Sequence, residues 1–190
     1  MKKKTTNELL ENLEKLHDHS ERLQLHVDYS ARGDKMKIIT ERLILRRWTE
    51  ADTESLEVIR NVFCGSECYA VCKKEDNKAI GAVELKLNGY TDMTERYDEC
   101  ELGFWIGKPF WGRGYIPEAA AELIRRGFEE LGMNKIWCGY YDGNIKSKRT
   151  QEKLKFVFHH TYNEIPVPLL NEVRIGHTNC LTKERWQDMK

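Results

Sequence analysis

The stretch that decides the fold reads Glu99-Cys-Glu101-Leu-Gly103-Phe-Trp105-Ile106-Gly-Lys-Pro109-Phe-Trp111-Gly112-Arg113-Gly114-Tyr115-Ile116-Pro117-Glu118-Ala119. Residues 99–106 have the apolar and aromatic content of a strand. A turn carrying Gly112 and Gly114 follows, and then an Ala-rich helix with Pro117 in its first turn, where proline suits. Two glycines let the backbone approach a ligand closely. The unbonded N–H groups of the helix start point at the same place, and the helix dipole favours an anion there. The physical reading is a phosphate site, to which Arg113 adds charge. On this feature alone a plain tight turn is the alternative. A Walker A loop needs Gly-Lys-Ser/Thr, which the chain lacks. A dinucleotide fingerprint needs a third glycine where Pro117 stands.

Outward from this stretch the pattern alternates between strand and helix. Residues 37–46 predict one strand, and Thr49 to Asp52 has capping-box spacing for a helix to about Arg60. Tyr69–Lys73 and Ala79–Leu87 predict a hairpin across the polar turn at 75–78, with 99–106 as a third strand of the group. The helix after Gly114 runs to about Leu131, capped by Gly132. A strand at 134–141, a helix at 147–154, strands at 156–162 and 172–181 and a short helix from Thr182 complete the order. The class is mixed α and β, with most strands able to pair as hairpins.

The 190 residues suit one domain with a short appendage. Lys plus Arg and Asp plus Glu both number 31, so no basic excess marks a nucleic-acid coat. No apolar run reaches the roughly 18–20 residues of a membrane span. The basic N-terminus has no apolar run behind it, so a cytoplasmic protein without a signal peptide is expected. The six cysteines include no CxxC pair, and no histidine completes a zinc site; reduced, structural thiols are expected and no metal. Cys64, Cys68 and Cys72 fit one helix face, or Cys68 and Cys72 one strand face.

Leu9, Leu13, Leu16, Leu23 and Val27 predict a helix over 7–27, docked on its own domain or forming a homodimer. A linker over 29–35 separates it from the rest. The expected domains are therefore 1–35, a helical extension and linker, and 36–190.

Within 37–190 the motifs follow a familiar order. Ile38-Ile-Thr40-Glu-Arg42-Leu-Ile-Leu45-Arg opens it. Glu101-Leu-Gly-Phe-Trp105, Trp111-Gly-Arg-Gly-Tyr115 and Glu118-Ala119 follow. Asn144, Ser147, Glu152-Lys153-Leu154 and Phe156 come next, then Leu181-Thr182 and Trp186. This order resembles the GNAT superfamily of acyl-CoA-dependent N-acyltransferases, and within it the RimJ/RimL-like branch.

The resemblance implies an α+β (mixed α/β) GNAT fold. Its central sheet is mostly antiparallel, with a parallel splayed pair at the CoA site and flanking helices; the N-terminal helix is an addition. It implies acetyl-CoA as co-substrate and no metal. Gly112, Arg113 and Gly114, between Trp111 and Tyr115, would cradle the pyrophosphate. Backbone of Trp105 and Ile106 would hold the pantetheine, and an N–H there would stabilise the oxyanion of acyl transfer. Asn144 would bond the pantetheine and Ser147 would start the next helix, although both are ordinary capping residues.

An ammonium has no lone pair, so a primary amine acceptor must lose a proton before it attacks. Glu101 is the first candidate base, because it lies on the strand that leads to the splay. Glu84, on the partner strand, is the second; a solvated or salt-bridged role is the alternative for both. Many members protonate the leaving thiolate with a Tyr, but Gln151 occupies the corresponding place. Ile116 stands where the motif prefers Gly or Ala, and Lys155 where Gly usually precedes Phe156. Between Arg60 and Tyr69 the chain is too short for the helix that walls the acceptor pocket in the family, and helix 7–27 is expected to fill that gap.

The acidic loop 91–99 favours a cationic acceptor such as a peptide N-terminus, a polyamine or an aminoglycoside. Tyr140, Tyr141, Asp142, His159, His160 and His177 are expected near the acceptor end, with His159 and His160 on opposite strand faces. The rival reading is a non-catalytic acyl-CoA-binding or assembly protein with a degenerate acceptor site. A nucleotide-binding module ranks third.

Overall fold

The computed structural model describes residues 37–49, 52, 66–87, 91–167 and 171–189. The helices expected over 7–27 and 49–60, the shortened connection to Tyr69, and Cys64 lie outside the described residues. So does any homodimer contact through 7–27.

Among the described residues eight strands form one sheet. They are β1 (Ile38–Ile39), β2 (Leu43–Arg46), β3 (Cys68–Lys73), β4 (Ala79–Lys86), β5 (Glu99–Ile106), β6 (Lys135–Tyr141), β7 (Val157–Val167) and β8 (Glu172–Thr182). The helices are α1 (Tyr115–Glu129), α2 (Ile145–Lys153) and α3 (Lys183–Gln187). The strand order is β1-β2-β3-β4-β5-β6-β8-β7. Every neighbour pair is antiparallel except β5 and β6, which are parallel. The parallel step arises because α1 intervenes between these strands as a crossover.

The first expected strand is two strands. Ile38 pairs with Leu45 and Ile39 with Ile44 across a turn at Thr40–Arg42. The Thr40 hydroxyl takes the Leu43 N–H at 3.1 Å, and a side-chain bond of this kind competes with the extended ladder. β7 also runs past its expected end, to Val167. The other described elements fall within a few residues of their expected limits.

Alternation gives the sheet two distinct faces. One carries Leu85, Leu102 and Ile136, and α1 buries Leu123, Ile124 and Phe128 against it. Gly127 of α1 comes so close that a Cβ there would lie 3.1 Å from Ile136 Cδ1 and 3.2 Å from Leu85 Cδ1. Arg126 of the same helix makes a buried two-pronged ion pair with Glu67, at 2.8 and 2.9 Å, and Tyr69 adds its hydroxyl to Glu67 at 2.9 Å. This pair fixes the rotation of α1 over β3, since leaving either charge alone in the core would be costly. The other face carries Glu84, Lys86, Glu101, Trp105 and Trp137. The loop 91–98 folds over part of it through Thr91, Met93 and Thr94.

Candidate functional site

The parallel pairing of β5 and β6 is brief. Glu99 pairs with Lys135, Cys100 with Ile136 and Glu101 with Trp137, and then pairing stops. Both strands continue, to Ile106 and to Tyr141. They therefore splay and leave a cleft between their backbones, whose polar groups need other partners.

β5 leads past its last pair through Ile106 to the Gly112–Gly114 turn. Both glycines have left-handed backbones, with φ of 75° and 77°. A Cβ on Gly112 would meet no atom within 4 Å, so the side that glycine keeps bare is open space. Gly114 is the N-cap residue of the fifteen-residue α1 and makes no side-chain cap. Free N–H groups, an open concavity and a helix N-terminus suit a pyrophosphate. Trp111 packs at the same place. Its indole donates to the Ile106 carbonyl at 2.9 Å, and the Lys146 ammonium lies 3.4 Å from its ring centroid, joining α2 to the loop.

Glu118, an acid in the first turn of this helix, would oppose an anion if left alone. It accepts from the Thr40 hydroxyl, from the Arg42 N–H at 2.7 Å and from the Arg42 guanidinium at 2.7 Å. Burial pushes its pKa up, but these bonds outweigh burial and hold the carboxyl below its usual range. Arg42 also donates to the Arg113 carbonyl at 3.0 Å, so the β1–β2 turn braces the glycine turn. Thr40, Arg42 and Glu118 stand out as motif residues in the sequence; this contact does not, because 76 positions separate Arg42 from Glu118.

Asn144 and Ser147 cap α2. The Asn144 side-chain Oδ1 accepts the Ser147 N–H at 3.1 Å, and the Ser147 hydroxyl accepts from Gln151 at 3.2 Å. Ile116 is buried at 5% exposure. Lys155 takes the left-handed conformation that glycine favours, with φ of 67°. The N–H of Lys155 bonds to Glu152 and that of Phe156 to Gln151, both at 3.0 Å, which is a Schellman ending of α2.

The two candidate bases share the face away from α1 but differ sharply in surroundings. Glu101 accepts from Lys86 at 3.2 Å and from the Thr91 hydroxyl at 2.6 Å. Glu84 is 2% exposed, and its Oε1 has no hydrogen-bond partner among the described residues. The Lys86 ammonium stands 3.8 Å from that oxygen. Burial pushes the Glu84 carboxyl up to about 7; Lys86 pulls it down and Glu101 adds to the rise. Gly103, directly across in the register, gives it room, since a Cβ there would lie 2.9 Å from Glu84 Oε1. Lys86 is a site residue that the sequence reading missed, and its position two residues after Glu84 on a strand is the signal that would have found it.

The acidic loop is less anionic than its composition. Arg96 makes two bonds to Asp98, at 2.9 and 2.8 Å. Glu99 accepts from Thr94 at 2.8 Å and from the Trp137 indole at 2.6 Å, and pairs with Lys135 at 3.4 Å.

His159 and His160 do not alternate. Their Nδ1 atoms are 2.7 Å apart, because the β7 register shifts between Phe158 and His160. A bulge of this kind breaks the two-residue period on which opposite faces depend. His177 lies between Asp142, at 3.1 Å, and Thr161, at 3.0 Å, and packs against Tyr140.

Among the described residues no group of His, Cys, Asp and Glu side chains could hold a metal ion, and no helix is long and apolar enough to cross a membrane. The five described cysteines form no disulfide; Cys68 and Cys72 lie on β3, so the strand-face reading applies to them.

The fold and its single parallel pair define a mixed α+β architecture, and comparison with known proteins gives the family. The acetyltransferase (GNAT) domain profile matches residues 59–157, and the chain belongs to that family. It is 30% identical over 98 residues to the FsC-acetyl coenzyme A-N(2)-transacetylase of Aspergillus fumigatus, covering 50% of this chain and 41% of that protein. It is 39% identical over 59 residues to YdaF of Bacillus subtilis, whose name proposes ribosomal N-acetylation, covering 31% of this chain and 32% of that one. The chain thus spans less than half the length of these two relatives. The YdaF match is consistent with the RimJ/RimL-like branch. A GNAT-family acetyltransferase structure from Bacillus anthracis superposes with a TM-score of 0.63 at 20% identity, covering 78% of this chain and 99% of that one.

Proposed function

We propose that this protein transfers an acetyl group from acetyl-CoA to a primary amine by direct attack in a ternary complex, with Glu84 as the proton acceptor. The observation that carries the proposal is the splay of β5 from β6 beyond Glu101 and Trp137, opening beside the left-handed Gly112–Gly114 turn. Acetyl-CoA supplies the activated acetyl thioester. The turn and the N-terminus of α1 receive its phosphates, between Trp111 and Tyr115, with Arg113 adding charge. The backbone N–H of Ile106, which the β4–β5 register turns away from β4, and the cleft take the pantetheine arm.

Glu84 rather than Glu101 is assigned the proton. A base must be free to accept, and Glu101 already serves as counter-ion to Lys86 and acceptor from Thr91. Among the described residues the Glu84 Oε1 has no hydrogen-bond partner, and a carboxyl near 7 matches the best working range of a general base at neutral pH. The family resemblance of the sequence and the relatives' names support a peptide N-terminus or a small cationic amine as acceptor.

The test begins with calorimetry of the full chain against acetyl-CoA, with ATP and NAD as controls. Selective binding is expected, followed by release of free thiol when an amine panel is added. Glu84→Gln is expected to lower turnover by about 10²–10⁴-fold, the usual contribution of a general base, with acetyl-CoA affinity retained. Binding without turnover on any amine would favour a non-catalytic acyl-CoA-binding protein. Equal affinity for all three ligands would overturn the reading.

A further inference from the structure

We infer that Gln151 is a positioning residue that holds β5 and β6 apart, by occupying the backbone carbonyl of Gly139 that would otherwise be offered to β5. The direction of that carbonyl follows from the β6 ladder. Lys183 donates its N–H to the Asn134 carbonyl at 2.9 Å, and Asp142 donates its N–H to the Ile175 carbonyl at 2.8 Å. Even-numbered positions along β6 therefore turn their backbone groups toward β8. Odd-numbered positions turn theirs the other way, which is how Lys135 and Trp137 come to lie beside β5. Gly139 is the next odd position and the first beyond the last pair. Two adjacent strands with unfilled edges zip together unless something else satisfies them.

Gln151 fills that edge. It projects from the second turn of α2, is fully buried, and donates from Nε2 to the Gly139 carbonyl at 3.0 Å. Its second Nε2 hydrogen goes to the Ser147 hydroxyl at 3.2 Å. Asn179 donates to its Oε1 at 2.8 Å, which sets which end of the amide faces Gly139. From the opposite face Met93 presses on the same residue, since a Cβ on Gly139 would lie 2.6 Å from Met93 Cε. A primary amide has two donor hydrogens. Both are committed, so Gln151 has none left for a leaving thiolate. The side chain is thus a strut between α2, β8 and the open edge of β6. It acts on acetyl-CoA through the shape of the cleft, a consequence that rests on the function proposed above.

Two variants of the full chain test this, Gln151→Met and Gln151→Glu, with hydrogen exchange on the protein alone and acetyl-CoA calorimetry at pH 5.5 and pH 8. Gln151→Met removes the donor at nearly constant volume. Exchange at the amides of Gly139, Tyr141, Leu102, Phe104 and Ile106 is expected to slow at least tenfold as the strands close. Affinity is expected to fall about tenfold relative to wild type at both pH values. Gln151→Glu is expected to bind weakly at pH 8 and to recover at pH 5.5, where a protonated carboxyl again donates to the Gly139 carbonyl. The three present partners are a hydroxyl, an amide and a backbone carbonyl, none of which titrates in this range. Exchange and affinity like wild type in Gln151→Met would overturn the inference, including the case where only kcat falls. If Gln151→Met does not fold, a pH-independent Gln151→Glu overturns it instead. If wild type fails to bind acetyl-CoA, the proposed function falls, and the exchange measurement alone decides the strut.

Discussion

Replacing Glu84 by Gln should make the protein more stable at pH 8 and about 1 kcal/mol less stable at pH 4. The folded-state carboxyl has its pKa raised from 4.5 to about 7, chiefly by burial. Below 4.5 the group is protonated in folded and unfolded chains alike, and burial of the neutral acid costs little. Between 4.5 and about 7 the folded chain holds a proton that the unfolded chain has released, so stability falls as pH rises. Above about 7 the loss is complete. Two and a half pKa units correspond to roughly 3 kcal/mol at about 1.4 kcal/mol each. Glutamine is neutral throughout and nearly isosteric, so it escapes this loss. Its buried amide can be left short of a partner, which costs about 1 kcal/mol. The net expectation is a gain of about 2 kcal/mol at pH 8 from urea unfolding of wild type and variant. A gain of equal size at pH 4 and pH 8, or no gain at pH 8, would refute the argument that burial holds this carboxyl at a high pKa. The same variant should lose turnover, so that stability and activity part at one residue.

Glu67→Ala should destabilise by about 3 kcal/mol in thermal or denaturant unfolding, because it removes the buried two-pronged partner of Arg126 and leaves that guanidinium only Glu130; a loss under 1 kcal/mol would show that Glu130 or solvent suffices for it. Lys155→Gly should stabilise by about 1 kcal/mol, since it relieves a left-handed non-glycine residue at the α2 ending; an unchanged melting temperature would contradict this. Gly112→Val should weaken acetyl-CoA binding at least tenfold while lowering stability by only about 1–2 kcal/mol, the cost of the left-handed backbone, because its side chain meets ligand space rather than protein. Affinity equal to wild type in calorimetry would place the phosphates elsewhere.

Much of the fold was legible because its signals are local. The strand 99–106 shows in its own composition, and β5 has those limits. Asn144 and Ser147 read as capping residues, and the cap is there. Lys155 departs from the glycine expected before Phe156, and its positive φ shows why glycine is favoured at that place. Residues 37–46 misled because strand propensity does not register a side-chain-closed turn at Thr40. His159 and His160 misled because a bulge is decided by the pairing partner, not by the strand that carries it.

The sequence by itself determined the order of elements, the glycine turn before α1 and the family, since each depends on neighbours within a few residues or on motifs in series. Only the tertiary structure decided which acid keeps an oxygen without a hydrogen-bond partner among the described residues. Glu84 and Glu101 are equivalent as letters on two strands, and the register that sets Lys86 against Glu101 and Gly103 against Glu84 separates them. It likewise decided what braces the glycine turn and what occupies the Gly139 carbonyl, because Arg42 reaches Glu118 and Gln151 reaches Gly139 only after the chain has folded back on itself. Desolvation and hydrogen bonding act across space, and spacing along a sequence does not report them.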